Sequence, residues 1–257
     1  MPIMLIDAIR QVRANVNEPA YPTLSGSTPG NPPPRFYTDT EITDWINDGL
    51  RDISRRAETL ITFDTSIVLP AYTPTPGQSA PLYPLQSDII RIQRIEFLST
   101  SGQTYPLQAS TPQEMDQIWG TNQSNSSSYP IWWITKGYPG GTGRNQFNLQ
   151  VYPNPSSGGT LQIYYYRLPI RLADPALNAL NYNVTLDIIE GWDDLVVEYA
   201  TYKAMQKARD DAWKDRKATY EQNVTQMIDV TRKFTDQPSY FSYGARMMPS
   251  WLTEWGG

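Results

Sequence analysis

The chain contains no cysteine and no histidine. Without cysteine there is no disulfide framework and no thiolate chemistry, and the redox compartment stays open. Without histidine the chain lacks the commonest general base, the commonest transition-metal ligand and the usual partner of a nucleophilic serine. Long apolar runs are missing too, since no stretch approaches the roughly 18 residues of a membrane span. The opening MPIMLIDAIRQVR carries an acid at Asp7 and no cleavage pattern, so a soluble product without a signal peptide, made in the cytoplasm, is expected. Positive charge is in deficit: 21 Lys and Arg against 26 Asp and Glu leave a net charge of −5. A general nucleic-acid binder would show the opposite balance. An acidic surface past which DNA slides without being gripped is compatible with it.

Hydrophobic residues make up only 39%, low for an autonomous enzyme, but Pro (22), Gly (16), Tyr (17) and Trp (8) are plentiful. The aromatics supply burial, so the composition describes ordered loops and aromatic contacts rather than disorder. The stretch Ile188–Thr235 has no proline and a single glycine, Gly191. Its apolar stripe runs through Ile188, Trp192, Leu195, Tyr199 and Tyr202, thins from Gln206 to Lys217, and resumes at Tyr220, Val224, Met227 and Ile228. Read as one helix it would be roughly 70 Å long. Its charged middle is then either solvated or packed on another subunit.

Upstream, Leu5, Ile9, Val12 and Val16 mark a short amphipathic helix, followed by a Pro/Gly/Ser-rich loop over 17–37 that is long enough to suggest an interface. Thr38-Asp39-Thr40-Glu41 is a capping box. Behind it Ile42, Trp45, Ile46, Leu50, Ile53, Ala57 and Leu60 line one face of a helix over 39–61, with Arg51, Arg55 and Arg56 matching the dipole of its last turns. That stripe is a mate for Trp192–Tyr202. From Thr62 to Tyr182 the pattern becomes β: strands at 62–69, 89–98 with a bulge near Gln93, and 131–135, and a hairpin of 147–152 with 160–167. A second capping box, Thr111 to Glu114 with Pro112, starts a short helix ending by Gly120.

Few residues invite chemistry. The Gly-rich 137–145 lacks the phosphate-loop pattern and no helix follows it. Asp193 with Asp194, and Asp210, Asp211 and Asp215, are paired acids, but Lys207, Arg209, Lys214 and Arg216 make them members of helix ion pairs. Asp39, Glu41 and Asp44 belong to a helix start. The sequons at Asn122, Asn125, Asn183 and Asn223 carry no weight without secretion. Trp132, Trp133, Tyr164, Tyr165 and Tyr166 could suggest sugar stacking, yet neighbours on a strand alternate faces and cannot build one platform. The expectation is no catalytic residue, no metal and no cofactor. The C-terminal segment differs. Tyr240, Phe241, Tyr243, Met247, Met248, Trp251, Leu252 and Trp255 would expose a large apolar surface if left free, so they are candidates for a subunit or partner interface.

Taken in order, several segments resemble the head-to-tail connector, or adaptor, proteins of tailed bacteriophages. They are Tyr37 to Arg56 (Y-x-D-x-E-I-x-x-W-I-N-x-G-L-R-D-I-x-R-R), Pro106 to Trp119, Leu149 to Pro155, Tyr164 to Pro169, and the helix opening at Glu190 (E-G-W-D-D-L-V-V-E-Y-A). The similarity spans about residues 1–235 and leaves the C-terminal segment without a match.

Periodicity and the resemblance together lead to the expectation of an α+β protein without enzymatic activity: a helical bundle of two N-terminal helices and one long C-terminal helix (1–61 and 184–235) and a β-rich insertion (62–183), to which composition alone adds an extended C-terminal arm (236–257). The resemblance implies a virion neck component assembled in the host cytoplasm as a homo-oligomeric ring of about twelve copies. Such a ring sits under the portal protein, meets downstream tail or nozzle proteins, and passes double-stranded DNA through its lumen without sequence-specific binding. Another tail component, tube or baseplate, is the alternative, with a carbohydrate-binding protein behind it. Ile42, Trp45, Ile46, Leu50, Ile53, Trp192, Leu195, Tyr199 and Tyr202 are then expected to form the subunit core.

Overall fold

The computed structural model describes residues 3–18, 36–74, 80–119, 126–137, 147–175 and 177–235. Among these residues, five α-helices and a curled sheet make a mixed α+β architecture. Helix α1 (Leu5–Asn15) turns Leu5, Ala8, Ile9 and Val12 inward. Its start is tied to the loop before the later helices, with the Leu5 amide donating to the Val184 carbonyl at 2.9 Å and the Leu186 amide to the Ile3 carbonyl at 3.0 Å. Helix α2 (Asp39–Ala57) opens with the expected capping box: Thr38 accepts from the Glu41 amide while Glu41 accepts from the Thr38 amide. Both pairings satisfy amides that have no partner inside the helix. It stops at Ala57, earlier than its stripe suggests, because Glu58 takes a left-handed conformation. Leu60 and Ile61 are drawn into the sheet, Leu60 accepting the Arg167 amide.

The 188–235 stretch is not one long helix. It forms α4 (Asp193–Ala208) and α5 (Trp213–Thr235), folded against each other. Arg209 at φ 57° ends the first, and the Asp210 carboxylate accepts the Ala212 amide in the turn before the second. The physical cause lies in the thinned stripe. Residues 206–212 and 214–219 are exposed, so no burial opposes the break, and Asp favours caps over helix interiors. The turn returns Tyr220, Val224 and Met227 to the cluster that holds α1, α2 and α4. Gly49 of α2 permits a close approach to α4, since a Cβ there would meet the Tyr199 ring at 3.0 Å.

The strands are β1 (Ile61–Asp64), β2 (Val68–Leu69), β3 (Tyr83–Pro84), β4 (Ile89–Ser99), β5 (Thr104–Ala109), β6 (Ser126–Ser127), β7 (Trp132–Gly137), β8 (Phe147–Tyr152), β9 (Asn154–Pro155) and β10 (Gly159–Arg167), with α3 (Pro112–Trp119) after β5. The main sheet has the order β1-β10-β4-β5-β7-β8-β3, with β2 beside β10, and β6 pairs β9 separately. Every pairing in the main sheet is antiparallel except β5 with β7. The expected single strand over 62–69 is two, because the Asp64 carboxylate takes the Ser66 amide and hydroxyl and turns the chain. The bulge at Gln93 is present: Tyr164 faces Arg94 and Tyr165 faces Ile92. Thr111 and Glu114 form the second capping box, opening α3.

The expected hairpin of 147–152 with 160–167 does not form among the described residues. Strand β8 pairs with β7 and β3, while β10 pairs with β4, β1 and β2. The two strands share one apolar cluster (Leu149 and Val151 with Leu161, Ile163 and Tyr165) without sharing a ladder. Between them β9 diverts the chain to β6, and Gly158, at φ 70°, turns it close against the Leu69 carbonyl. Gly159 then enters beneath Phe97, where any Cβ would lie 2.4 Å from the ring.

Candidate functional site

The residues expected to form the subunit core come together. Ile42, Ile46, Leu50, Ile53, Leu195 and Tyr202 are buried in one cluster, and Trp45, Trp192 and Tyr199 pack half-buried on it. At its centre Tyr220 lies edge-on to Tyr199 at 5.3 Å and donates its hydroxyl to Asp52 at 2.6 Å. Burial pushes the Tyr220 hydroxyl far above its ordinary value, and the Asp52 bond adds to this; Tyr202 is raised in the same way, by burial first and then by the Tyr199 hydroxyl. Both stay protonated and act as donors. Arg56 bridges Asp52 and Glu221, so α2 and α5 are joined at the cluster's edge.

One end of the helical layer carries a polar clasp. Arg13, 1% exposed, donates to Glu18 and to Asp39 at 2.5 Å each and to the Tyr37 carbonyl at 3.0 Å. Glu18 accepts the amides of Phe36 and Tyr37, so the two stems of the 17–37 loop meet. Tyr182 donates to the other oxygen of Asp39. Lys207 reaches Glu41 at 2.7 Å and lies over the Phe36 and Tyr37 rings, fixing the loop base to the end of α4. The Lys207 hydrogen bond, then the Thr38 amide, hold the Glu41 carboxyl below its usual value. A second clasp joins the end of β10 to the segment before α4. Arg167 grips Asp187 with two bonds, of 2.5 and 2.9 Å, and the Ile170 amide donates to the same carboxylate. Burial works against the ionised Asp187, but Arg167 and that amide outweigh it and lower its pKa.

Among the described residues, exposed apolar side chains gather at two places outside these cores. On the outer sheet face, Ile61, Phe63 (64% exposed) and Val68 form the edge row, backed by Tyr164 with Arg94 over its ring and Tyr166 with Arg91 over its ring. On the 168–189 loop, Ile170, Leu177 (85% exposed) and Leu180 project. Leu177 lines a cleft of about 450 Å³ with Thr40, Asp44, Arg171 and Asp174. Large apolar side chains this exposed mark contact surfaces.

The remaining candidates separate. Trp132 packs with Met115 and Ile134, and Trp133 on the opposite cluster with Leu149; Tyr165 joins the Leu149 cluster, while Tyr164 lies under Arg94 and the buried Tyr166 under Arg91. They share no platform. Asp193 and Asp194 sit in the first turn of α4, Asp210 holds the Ala212 amide in the turn before α5, and Asp211 lies between the helices, so it shares no helical face with Asp215. Among the described residues no cluster of His, Cys, Asp or Glu could hold a metal ion, and no helix is long and apolar enough to cross a membrane. The Gly-rich 138–146 and all eight candidates of the C-terminal segment, Tyr240, Phe241, Tyr243, Met247, Met248, Trp251, Leu252 and Trp255, lie outside the described residues.

Sequence reading missed Arg13, which looks like a solvated neighbour of Val12, and Leu177 and Leu180, which carry no periodicity. Only their residue type, apolar within a polar loop, could have singled out the leucines.

No curated protein matches the chain at significant similarity. A family model described as SU10 adaptor protein matches residues 5–247, nearly the whole chain and both the helical and the β segments. The chain therefore belongs to the SU10 adaptor protein family, a family of phage adaptor proteins.

Proposed function

We propose that this chain is a structural head-to-tail connector that assembles as a ring beneath the portal of a tailed phage and extends the DNA channel toward the tail. The family match over residues 5–247 carries the reading. Two features of the molecule support it. Exposed apolar surfaces occur at separate places, around Phe63 and around Leu177, as head-to-tail packing of identical copies requires. Two large buried polar groups are held by structural partners: Tyr220 by Asp52, Arg13 by two carboxylates.

In this reading the helices (1–61 and 184–235) are the bundle that packs around the ring, and residues 62–183 are an insertion directed at neighbouring components. Residues 236–257 are an arm that docks on the portal or on an adjacent copy. The acidic balance of the chain keeps the channel wall from trapping phosphate as DNA passes. Truncation after Asp236 tests the arm. A folded protein that no longer joins the portal is expected, and normal portal binding by the truncated chain would contradict it.

A further inference from the structure

Among the described residues the main sheet has a gap between β4 and β7. Strand β4 is paired along its length with β10, but on its other side β5 covers only Ile95 to Leu98. Strand β5 then leaves β4 and runs parallel to β7 for two residues, Gln108 against Trp132 and Ala109 against Trp133, before the chain turns into α3. Beyond that point residues 89–94 of β4 and 134–137 of β7 have, on their facing edges, no ladder partner among the described residues. An open cleft of about 280 Å³ lies there, lined by Ile89, Ile90 and Ile92 from one side and Trp133, Thr135 and Phe147 from the other. Among the described residues its one charged lining residue is Arg91. Two strand edges flanking an apolar cleft form the receptor for an added strand, in which main-chain hydrogen bonds give affinity and alternate side chains give specificity.

We propose that this slot receives the segment Trp251–Trp255 of a second copy of the chain as an added β-strand, a proposal that rests on the ring reading above. The segment reads W-L-T-E-W, without proline or lysine, and is rich in the residue types that favour strands. Extended, it puts Trp251, Thr253 and Trp255 on one face and Leu252 and Glu254 on the other. Glu254 is its single charge and is opposite in sign to Arg91. Arg91 already pairs with Glu58, yet its side chain is 59% exposed and a guanidinium has donors to spare. Residues 236–250 can carry the segment up to roughly 50 Å from the end of α5, at about 3.3 Å per residue, so a neighbouring copy lies within reach. Slot and segment are different surfaces of one chain, and their pairing from copy to copy is of the head-to-tail kind that closes into rings.

The absence of cysteine makes the test direct. Thr135 is exposed within the slot, so Thr135→Cys leaves the core untouched. Full-length Thr135→Cys is mixed with full-length Thr253→Cys under mild oxidation, with and without a portal ring. Ser101→Cys, on the distant exposed β4–β5 turn, replaces Thr135→Cys in the control. A disulfide-linked dimer from the first mixture but not the control is expected. Adding Leu252→Pro to the Thr253→Cys chain, which prevents strand pairing while sparing both tryptophans, should abolish the link. A double variant, Thr135→Cys with Thr253→Cys, that closes only within one chain while the mixture stays unlinked would overturn the proposal, because the segment would then dock on its own copy. No link in any mixture, with the unmodified chain still forming rings on the portal, would also overturn it and leave the connector reading standing.

Discussion

Arg13 offers a sharp test of how the helical layer is held. The side chain is 1% exposed and faces Glu18 and Asp39, themselves 13% and 18% exposed. Arg13→Leu keeps the stem volume but removes the charge. The two carboxylates then lose the guanidinium they share, while Glu18 keeps the Phe36 and Tyr37 amides and Asp39 keeps the Tyr182 hydroxyl among their donors. Breaking a buried pair by deleting one partner costs about 3–5 kcal/mol, and the partial exposure of both acids puts this case near about 3. For a chain of this size that is a fall in Tm of roughly 6–12 °C. Arg13→Lys keeps a charge but cannot span both acids and the Tyr37 carbonyl, so its loss should be intermediate. Thermal and urea unfolding at fixed protein concentration measure the loss, and limited proteolysis within residues 19–35 should quicken in Arg13→Leu as the stems part. An Arg13→Leu protein within about 0.5 kcal/mol of the parent, the ordinary range for surface changes, would refute the reasoning.

Gly159→Ala should destabilise by at least about 2 kcal/mol, since its methyl would overlap the Phe97 ring and the Leu98 carbonyl. Gly102→Ala, at φ 82° but in open space, should cost only about 1 kcal/mol, and equal losses in urea unfolding would contradict the packing argument. Asp187 is ionised more readily folded than unfolded, so its contribution is present above the ordinary Asp value of about 3.9 and fades as pH falls through its lower folded value. Asp187→Asn should therefore lower stability at neutral pH and shrink the acid-side loss; a parallel pH–stability curve would count against the clasp. Asp210→Ala removes the carboxylate that holds the Ala212 amide in the turn before α5 and should cost about 1 kcal/mol, read as a Tm shift, with no loss of helical content.

The elements that were legible in the sequence are those whose signals are local. The Thr38–Glu41 box announces α2, and the broken alternation at Gln93 announces the bulge, because each depends on residues within one turn or one register step. The break between α4 and α5 is not legible. Tyr220 follows Tyr202 by about five full turns, in phase with a continuous helix, and the residue that ends α4, Arg209, has no bias toward a left-handed conformation. Alternation told which faces of 147–152 and 160–167 are apolar but not which strands lie beside them, so two strands facing one core passed for a hairpin. Strand β5 was hidden by Pro106 at its centre. The core stripe was legible in Ile42, Ile46, Leu50 and Leu195, whereas Arg13 was not, since nothing in its neighbours reveals that Glu18 and Asp39 converge on it. Phe63 and Leu177 become contact candidates only once the structure shows that nothing described covers them.

The central claim, a ring-forming connector, is tested most directly by native mass spectrometry of the purified chain alone and mixed with a cognate portal ring. The account predicts a closed oligomer on the portal, with one copy of this chain per portal subunit. A chain that remains monomeric and ignores the portal would contradict it.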